Sequence, residues 1–595
     1  MRTKAVAGPL FALCLLTAAC VTFGAQGGGS PSPGSLDSGA PGAVLFVSAE
    51  KGNDGNDGRD TARPLRTVGA ALSRATSDRT ARYEIRVCRG LYQEGPLSVT
   101  IPVALHGGYD CTTWQLPSDY GAAGVFGPID ETVLSARPLD APRDVAFSLT
   151  LVGAAVDANT DVAGLRIVAP ADATNASALF VNDGAAPHLH DLVIEGGRSS
   201  GTFVGGEALR IKSASPEVEF CRVVAGSGAS DSVGAIGLRV EGGAPNVHDN
   251  EIRAGSGDAP QGTFALFLSN TTMRKQNGNA LRNNRILVPA FQYRTPAGAS
   301  VAAVALYIYA SQVDVLDSDV YIDAVTCTGE CLTIAIFVNG ASDAHLARNR
   351  IFAGDVGVTD PSPPTPRNVI AFALKVTDES RVYAEANGIH AGSTRTRENS
   401  TRLGIASETR SYVQASGNTI FAGYDSVPPV FVSALVTSVQ PTGRLALDGN
   451  LLIGGNGSTG IFALTCDPPG NHVTHLRQNT FLDMENDVVV GGPELTPSCA
   501  RNQGALTLIT NGDVVGNVSA PRATCGSCVS QLFSSWAPRT ARELLFSAAG
   551  WLPRTNASCM YLAGGYAPLV GSADRDGRLR PNPPTRGAWE VSGCL

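Results

Sequence analysis

The pentapeptides EIRAG (251–255), RIFAG (350–354), GIHAG (388–392) and TIFAG (419–423) repeat one phrase along the chain. An asparagine usually stands just before the phrase, and the series consists of Asn250, Asn284, Asn349, Asn387, Asn418, Asn450, Asn479 and Asn517. Ser318 fills the one wide gap, and Cys221 and Leu192 continue the series towards the N-terminus. Self-similarity at a period of about 30 residues predicts a solenoid.

A short strand with alternating side chains opens each unit. The strand segments are ALFVN (178–182), ALRIK (208–212), GLRVE (237–241), ALFLS (265–269), ALYIY (305–309), AIFVN (335–339) and ALKVT (373–377). In the second, Leu209 and Ile211 point to one side and Arg210 and Lys212 to the other. No unit contains a helical stripe, which disfavours leucine-rich repeats and α/β folds. The pattern predicts a parallel β-helix in which stacked asparagines hold the turns.

The two ends of the chain agree with this pattern. Near the N-terminus the strand VLFVSAE (44–50) is followed by Gly/Asn/Asp turns and then by PLRTVGAALSRA (64–75), which reads as a capping helix; PLVGSADRDGRLRPNPPTRGAWEV (568–591) closes the chain. With the repeats, these segments resemble the exported proteins of the right-handed parallel β-helix, pectate-lyase-like superfamily. The resemblance implies an all-β, single-stranded right-handed parallel β-helix (solenoid) with a short N-terminal capping helix.

The chain divides into five predicted segments. These are a signal peptide (1–19), a flexible Gly/Ser/Pro tether (20–43), an N-terminal cap with the first coils (44–142), the β-helix repeats (143–520) and a disulfide-rich C-terminal region (521–595). LLTAAC (15–20) resembles the lipobox of bacterial lipoproteins, although Thr17 replaces the usual Leu. Lipidation of Cys20 and ordinary cleavage before a structural Cys20 both remain open. We expect a secreted or outer-surface protein that touches a bacterial membrane only through this lipid.

Cysteine usage fits an oxidising compartment. Eleven cysteines follow Cys20, and Cys221 is left over as a buried free thiol. The candidate disulfides are Cys88 with Cys111, Cys327 with Cys331, Cys466 with Cys499, Cys525 with Cys528, and Cys559 with Cys594.

Charge and turn motifs exclude other classes. The chain has 45 Lys and Arg against 53 Asp and Glu, a net charge of −8 that carries no nucleic-acid footprint. KGNDGNDGRD (51–60) lacks the full calcium-loop spacing, so we interpret it as consecutive turns, with calcium binding by Asp54, Asp57 and Asp60 as the alternative. We expect no other cofactor, and a monomer.

Outward-facing positions of the opening strands form the candidate binding face. Alignment places Phe180, Arg210, Arg239, Phe267, Tyr307, Phe337 and Lys375 in one column and Asn182, Lys212, Glu241, Ser269, Tyr309, Asn339 and Thr377 in the next. The candidate ligand-binding residues are Arg210, Lys212, Arg239, Glu241, Phe267, Tyr307, Tyr309 and Phe337. Aromatic rings suit sugar faces and Arg or Lys suits uronate carboxylates. The structural alternative is that the aromatic ladder only stabilises stacked coils.

Catalytic residues are not evident. Glu241 is the only carboxylate in the two columns, whereas a hydrolase needs a pair and a lyase needs a cation with a basic residue. His188, His190 and His248 come from successive coils, but without a cysteine or carboxylate at ligand spacing we predict no metal site. The favoured function is non-catalytic binding of a polysaccharide or surface matrix. A polysaccharide lyase or glycoside hydrolase acting on an acidic polysaccharide, and a structural stalk, are the alternatives.

Overall fold

Strands that stack in parallel from coil to coil build the chain. The computed structural model describes residues 42–78, 81–116, 132–136, 146–170, 176–197, 206–226, 235–255, 263–293, 301–327, 331–358, 369–394, 400–421, 432–433, 436–437, 444–453, 458–463, 473–477, 479–482, 486–490 and 513–515. Paired strands run parallel, as expected when each coil stacks on its predecessor. The predicted all-β parallel β-helix is therefore confirmed.

Successive coils together build three long parallel sheets. Sheet A contains Ala43–Val47, Tyr83–Cys88, Val103–Tyr109, Asp161–Ala163, His188–His190, Glu217–Glu219, Asn246–His248, Thr272–Met273, Leu281–Arg282, Gln312–Leu316, Asp343–Ala347, Arg381–Glu385, Tyr412–Ser416, Arg444–Asp448, Val473–Arg477 and Asp513–Val515. Sheet B contains Gly90–Glu94, Thr132–Ala136, Arg166–Val168, Val193–Glu195, Arg222–Val224, Glu251–Arg253, Arg285–Val288, Asp319–Ile322, Arg350–Phe352, Gly388–His390, Thr419–Phe421, Leu451–Ile453 and Thr480–Leu482.

Sheet C contains the strands that were predicted to open each repeat unit. It contains Leu97–Val99, Ala146–Val152, Ala176–Asn182, Leu209–Lys212, Ile236–Glu241, Thr263–Ser269, Val301–Tyr309, Cys331–Asn339, Val369–Val376, Ser400–Ser407, Val432–Ser433, Val436–Thr437, Ser458–Ala463 and Asn486–Val490. A short sheet D consists of Phe291–Tyr293, Val325–Cys327, Asp355–Val358 and Ser393–Thr394, and a 3₁₀ turn spans Lys275–Asn277.

The predicted capping helix spans Val68–Ser77. Thr67 caps it by accepting a hydrogen bond from the Ala70 amide, and the buried carboxylate of Glu94 accepts from the first amides of the helix. Its buried face belongs to the same apolar core as the strand interiors. The helix therefore closes the N-terminal end of that core.

The turns before the helix use their acidic side chains as backbone acceptors. Asp54 accepts from the Arg66 and Thr67 amides, Asp57 from the Arg59 amide, and Asp60 from the Ala62 amide. These bonds agree with the turn interpretation of residues 51–60. Calcium binding there stays a prediction.

Asparagine side chains form a continuous ladder at the bend between sheets A and B. Each Asn Oδ1 accepts the backbone amide of the equivalent residue one coil earlier, at 2.8–3.1 Å, and the ladder runs through Cys221, Asn250, Asn284, Ser318, Asn349, Asn387, Asn418, Asn450 and Asn479. The Nδ2 groups donate to backbone carbonyls of the bend. The predicted positions of Ser318 and Cys221 are confirmed, and Asn517 lies outside the described residues.

The residue before each ladder position from Cys221 to Asn450 has left-handed backbone geometry. Phe220, Asp249 and Asp317 have φ values of 48°, 58° and 50°, which carry a steric cost for a residue with a Cβ. One such residue per coil turns the chain sharply from sheet A to sheet B. A second ladder, of Thr271, Ser311, Ser342 and Ser380, serves the bend between sheets C and A in the same way.

Two of the predicted disulfides are present. Cys88 is bonded to Cys111, and Cys327 to Cys331. Cys221 is a free, buried thiol, as predicted, and burial raises its pKa. Residues 1–41, including Cys20, lie outside the described residues. So do the cysteines of the other three candidate disulfides, namely Cys466, Cys499, Cys525, Cys528, Cys559 and Cys594. Within the described ranges no helix has the length and apolar content needed to cross a bilayer.

Replacement of Asn418 by alanine tests the ladder. Asn418 Oδ1 accepts the Asn387 amide, and its Nδ2 donates to two carbonyls. Asn418→Ala strands these buried groups, so we expect a loss of about 2–3 kcal/mol in unfolding free energy, measured by urea unfolding. Asn418→Ser is the matched control, because Ser318 fills an equivalent position with its hydroxyl as acceptor. Equal losses in the two variants would show that the acceptor is unimportant.

Candidate functional site

The predicted columns of sheet C have the expected register. Neighbouring strands pair Phe180 with Arg210, Arg210 with Arg239, and so on through Phe267, Tyr307, Phe337 and Lys375. The second column pairs in the same way from Asn182 through Lys212, Glu241, Ser269 and Tyr309 to Asn339. The structure thus brings the eight candidate ligand-binding residues onto one face.

The two arginines of this face are held by carboxylates. Arg210 contacts Glu241 at 2.7 Å, and Arg239 bridges Glu241 at 2.5 Å and Glu207 at 3.1 Å. Although burial opposes ionisation, Arg239 and Arg210 lower the pKa of Glu241. Lys212 is exposed at the edge of the group. Arg210 and Arg239 therefore belong to a nearly balanced network of ion pairs with Glu207 and Glu241.

Glu207 was missed because it precedes the strand segment used for alignment. Its side chain is only 3% exposed, yet it accepts from Ser177 and pairs with Arg239. The strand after it turns inward at both Ala208 and Leu209, which are fully buried. The same pair of inward residues recurs in other strands of sheet C, as at Ala178 and Leu179. It breaks simple alternation and places Glu207 on the outer side with Arg239.

An aromatic strip, defined as Phe267, Tyr307 and Phe337, continues the column. Ring centroids are 5.1 Å apart for Phe267 and Tyr307 and 5.0 Å apart for Tyr307 and Phe337. All three rings are half-buried. Arg239 lies over Phe267 and Lys375 approaches Phe337, so each end of the strip is next to a cation.

A separate apolar group lies next to the strip. Val304, Ile334, Phe372 and Leu403 are almost fully buried, and they pack with Tyr307 and Phe337 in a cluster distinct from the interior core. The aromatic strip therefore borders a buried apolar cluster on the outer side of sheet C.

A histidine–carboxylate cluster, defined as His106, Asp161, His188, His190 and Glu219, occupies the outer side of sheet A. Strand pairing places His188 beside Asp161 and beside Glu217, and His190 beside Glu219. The imidazoles of His188 and His190 stack with centroids 4.5 Å apart. The cluster therefore draws on four successive strands of the sheet.

Asp161 is the centre of this cluster. Its Oδ1 lies 3.0 Å from His190 Nε2 and 3.4 Å from His188 Nδ1, and its Oδ2 lies 2.8 Å from His106 Nε2. Although burial opposes ionisation, contacts with the three imidazoles lower the pKa of Asp161. Burial also opposes protonation of His190, but Asp161 and Asp191 raise its pKa to about 9.

Further titratable groups extend the cluster on both sides. Glu84 Oε1 lies 3.8 Å from His106 Nδ1, and that imidazole, followed by Arg86, lowers the pKa of Glu84 to about 2 although burial opposes the shift. On the other side His248 contacts Glu217 at 3.2 Å and Asp249 at 2.7 Å. The cluster therefore has a net negative charge unless its imidazoles carry protons or it binds a cation.

Sequence reasoning found His188, His190 and His248 but missed Asp161 and His106. Those two come from earlier coils, where Leu165 replaces the asparagine that marks the register further along. Alignment of DVAGLRIV (161–168) with HLHDLVIE (188–195) places Asp161 in line with His188.

No protein-family model matches the chain, and comparison with curated proteins finds no match either.

A different buried histidine gives a pH signature. His390 on sheet B lies between Phe352 and Phe421, with ring centroids 4.8 and 4.6 Å away. Burial, and then the nearby Arg402 cation, lower the pKa of His390 to about 4.

Replacement of His390 by phenylalanine tests this signature. Between pH 6.5 and 4 the unfolded chain takes up a proton at His390 that the folded chain lacks, so this contribution to stability is lost as the pH falls. Between pH 7 and pH 4.5 we expect the melting temperature of His390→Phe to fall less than that of the wild type. The corresponding losses of unfolding free energy should differ by an amount on the order of 2 kcal/mol. His345→Phe is the control. Parallel melting curves for the wild type and His390→Phe would refute the assignment.

Arg239→Ala tests whether the ion-pair network is structural. Loss of Arg239 leaves the buried carboxylate of Glu207 without its cation, so we expect unfolding free energy to fall by about 2–4 kcal/mol. Lys212→Ala, which removes an exposed cation nearby, should change it by less than about 0.5 kcal/mol. Adding Glu207→Gln to Arg239→Ala should restore part of the loss. Thermal melting of the four proteins measures this, and an unchanged Arg239→Ala variant would contradict it.

Proposed function

We propose that this chain is an exported, surface-anchored β-helix protein of the pectate-lyase-like type that binds glycan chains on sheet C without cleaving them. The aromatic strip is the observation that carries the proposal. Its three side chains follow one another at about the spacing of the coils, ~4.8 Å, and each is partly exposed. Successive sugars of one chain would contact such a row.

Polar groups beside the strip would give the ligand orientation. Tyr309 and Asn339 lie in the neighbouring column, and Asn339 donates a hydrogen bond to the Tyr307 hydroxyl at 3.3 Å. Rings that exclude water and a few fixed polar groups are the usual composition of a binding site. Because Arg210 and Arg239 are paired internally, we assign recognition mainly to the rings, with Lys212 as the accessible cation for an acidic sugar.

The proposed location is supported by the N-terminal segment and by the disulfides. The apolar N-terminal segment, Cys20 and the tether to residue 43 support export and lipid attachment. The Cys88–Cys111 and Cys327–Cys331 bonds suit an oxidising compartment. A tether would leave the sheets free to meet polysaccharide or matrix outside the cell.

The alternative of a lyase or hydrolase has one feature in its favour. Glu207, Glu241 and Arg239 converge beside the strip, and an acid pair with a base is a minimum for such chemistry. The lowered pKa of Glu241, however, makes it a poor proton donor near neutral pH. We therefore favour binding over turnover.

Binding to a panel of neutral and acidic polysaccharides tests the proposal. We expect a ligand whose affinity falls about tenfold in Tyr307→Ala, equivalent to about 1.4 kcal/mol. Tyr383→Ala removes an exposed ring from sheet A and is the matched control. Isothermal titration gives the affinities, and thermal melting shows that each variant is folded.

The same incubations separate the other functions. Release of unsaturated uronate or of reducing ends would identify an enzyme. A protein that binds none of the polysaccharides, with Tyr307→Ala changing only the melting temperature, would be a structural stalk.

A further inference from the structure

We propose that Asp161, His188 and His190 bind a divalent transition-metal ion on the outer side of sheet A. One ligand atom from each residue lies within 4.8 Å of the others. Zinc bonds to nitrogen and oxygen of about 2.0–2.1 Å place tetrahedral ligands about 3.3 Å apart. The 3.0 and 3.4 Å separations from Asp161 Oδ1 to the two imidazole nitrogens match that spacing.

Asp161 Oδ1 has a position that hydrogen bonding does not explain. The atom is buried, and neither of its short contacts has hydrogen-bond geometry. A buried carboxylate oxygen without a donor is costly. A metal ion coordinated by this oxygen and the two imidazoles would satisfy it.

The outer nitrogen of each histidine is already held by a carboxylate. His188 Nε2 lies 2.8 Å from Glu219 Oε1, and His190 Nδ1 lies 2.9 Å from Asp191 Oδ2. With these protons directed to Glu219 and Asp191, the lone pairs fall on His188 Nδ1 and His190 Nε2, the two atoms next to Asp161. Carboxylates in this position orient metal-binding histidines and increase their basicity.

The third ligand is supported in the same way. Asp161 Oδ2 lies 2.8 Å from His106 Nε2, which leaves Oδ1 for the ion. All three ligands therefore have a partner on the side away from the ion. This arrangement separates the cluster from a chance group of surface acids, because each side-chain orientation is fixed by a different coil.

The ligand types select the class of metal. Two imidazoles and one carboxylate suit Zn²⁺, Ni²⁺ or Cu²⁺, whereas Ca²⁺ and Mg²⁺ prefer sites made of oxygen ligands. Three protein ligands leave a coordination position open, and the side chains of His188 and His190 are 31% and 22% exposed. Water or a group of an external ligand would complete the coordination of the ion.

Titration of the chelator-treated, dialysed mature protein with Zn²⁺ tests the site. At pH 8 we expect one high-affinity site by calorimetry and much weaker binding of Ca²⁺ and Mg²⁺. Asp161→Asn keeps the shape of the side chain but removes its charge, and should weaken Zn²⁺ binding at least 100-fold. His345→Gln, which removes a histidine near Glu385 on the same sheet, should leave it unchanged.

A second variant covers failure of Asp161→Asn to fold. Glu219→Gln should weaken Zn²⁺ about 10–100-fold through His188 alone, and the Cu²⁺ form of the wild type should show nitrogen hyperfine coupling in its paramagnetic resonance spectrum. Absence of stoichiometric Zn²⁺ binding would overturn the proposal and leave a network held by protons. Equal affinity in the wild type, Asp161→Asn and Glu219→Gln would overturn it too. The outcome does not depend on glycan binding by sheet C.

Discussion

The hydrogen bond from each ladder amide to the side chain of the next coil is the interaction on which the rest of the structure depends. At this bend the chain turns from sheet A into sheet B within about two residues. Without the side-chain acceptors, backbone amides of the bend would be buried without partners. Asn387, Asn418 and Asn450 solve the problem together, since each accepts one amide and donates to carbonyls. Because a rung is completed only by its neighbour, the ladder fixes the register of the coils from Cys221 to Asn479.

Fixed register makes the outer surfaces chemically different from one another. On sheet C it aligns rings, so that Phe267, Tyr307 and Phe337 form one strip. On sheet A, in coils that precede the ladder, parallel strand pairing places imidazoles against carboxylates of earlier coils, as with His190 and Asp161. Neither arrangement exists within a single repeat. A solenoid of this kind builds its sites between repeats, where neighbouring strands lie about 4.8 Å apart.

The sequence was informative wherever the asparagine position marked the register. From Cys221 onwards the spacing predicted the ladder, the bends and both columns of sheet C, because a period of two within strands leaves little freedom once one position is fixed. Before Leu192 the marker is absent. The asparagine marker therefore does not assign Asp161 and His106 to a column, and the cluster they form with His188 was missed.

Two other features do not follow from the asparagine period or from alternation within the strands. Glu207 joins the Arg239 network because Ala208 and Leu209 both turn inward, which alternation does not predict. The hydroxyl ladder through Ser311 and Ser342 was missed because Ser and Thr are common in turns for several reasons. Pairing of cysteines close in sequence was easier, since Cys327 and Cys331 lie on adjacent strands of one bend.

A double-mutant cycle across the ladder tests most directly whether successive coils hold one another in register. The quantity is the coupling free energy between Asn387→Ala and Asn418→Ala, obtained from hydrogen exchange of the two coils that contain Asn387 and Asn418. We predict non-additivity of about 1 kcal/mol for this adjacent pair and close to zero for Asn284→Ala with Asn450→Ala, which are several coils apart. Additive effects in the adjacent pair would contradict the account.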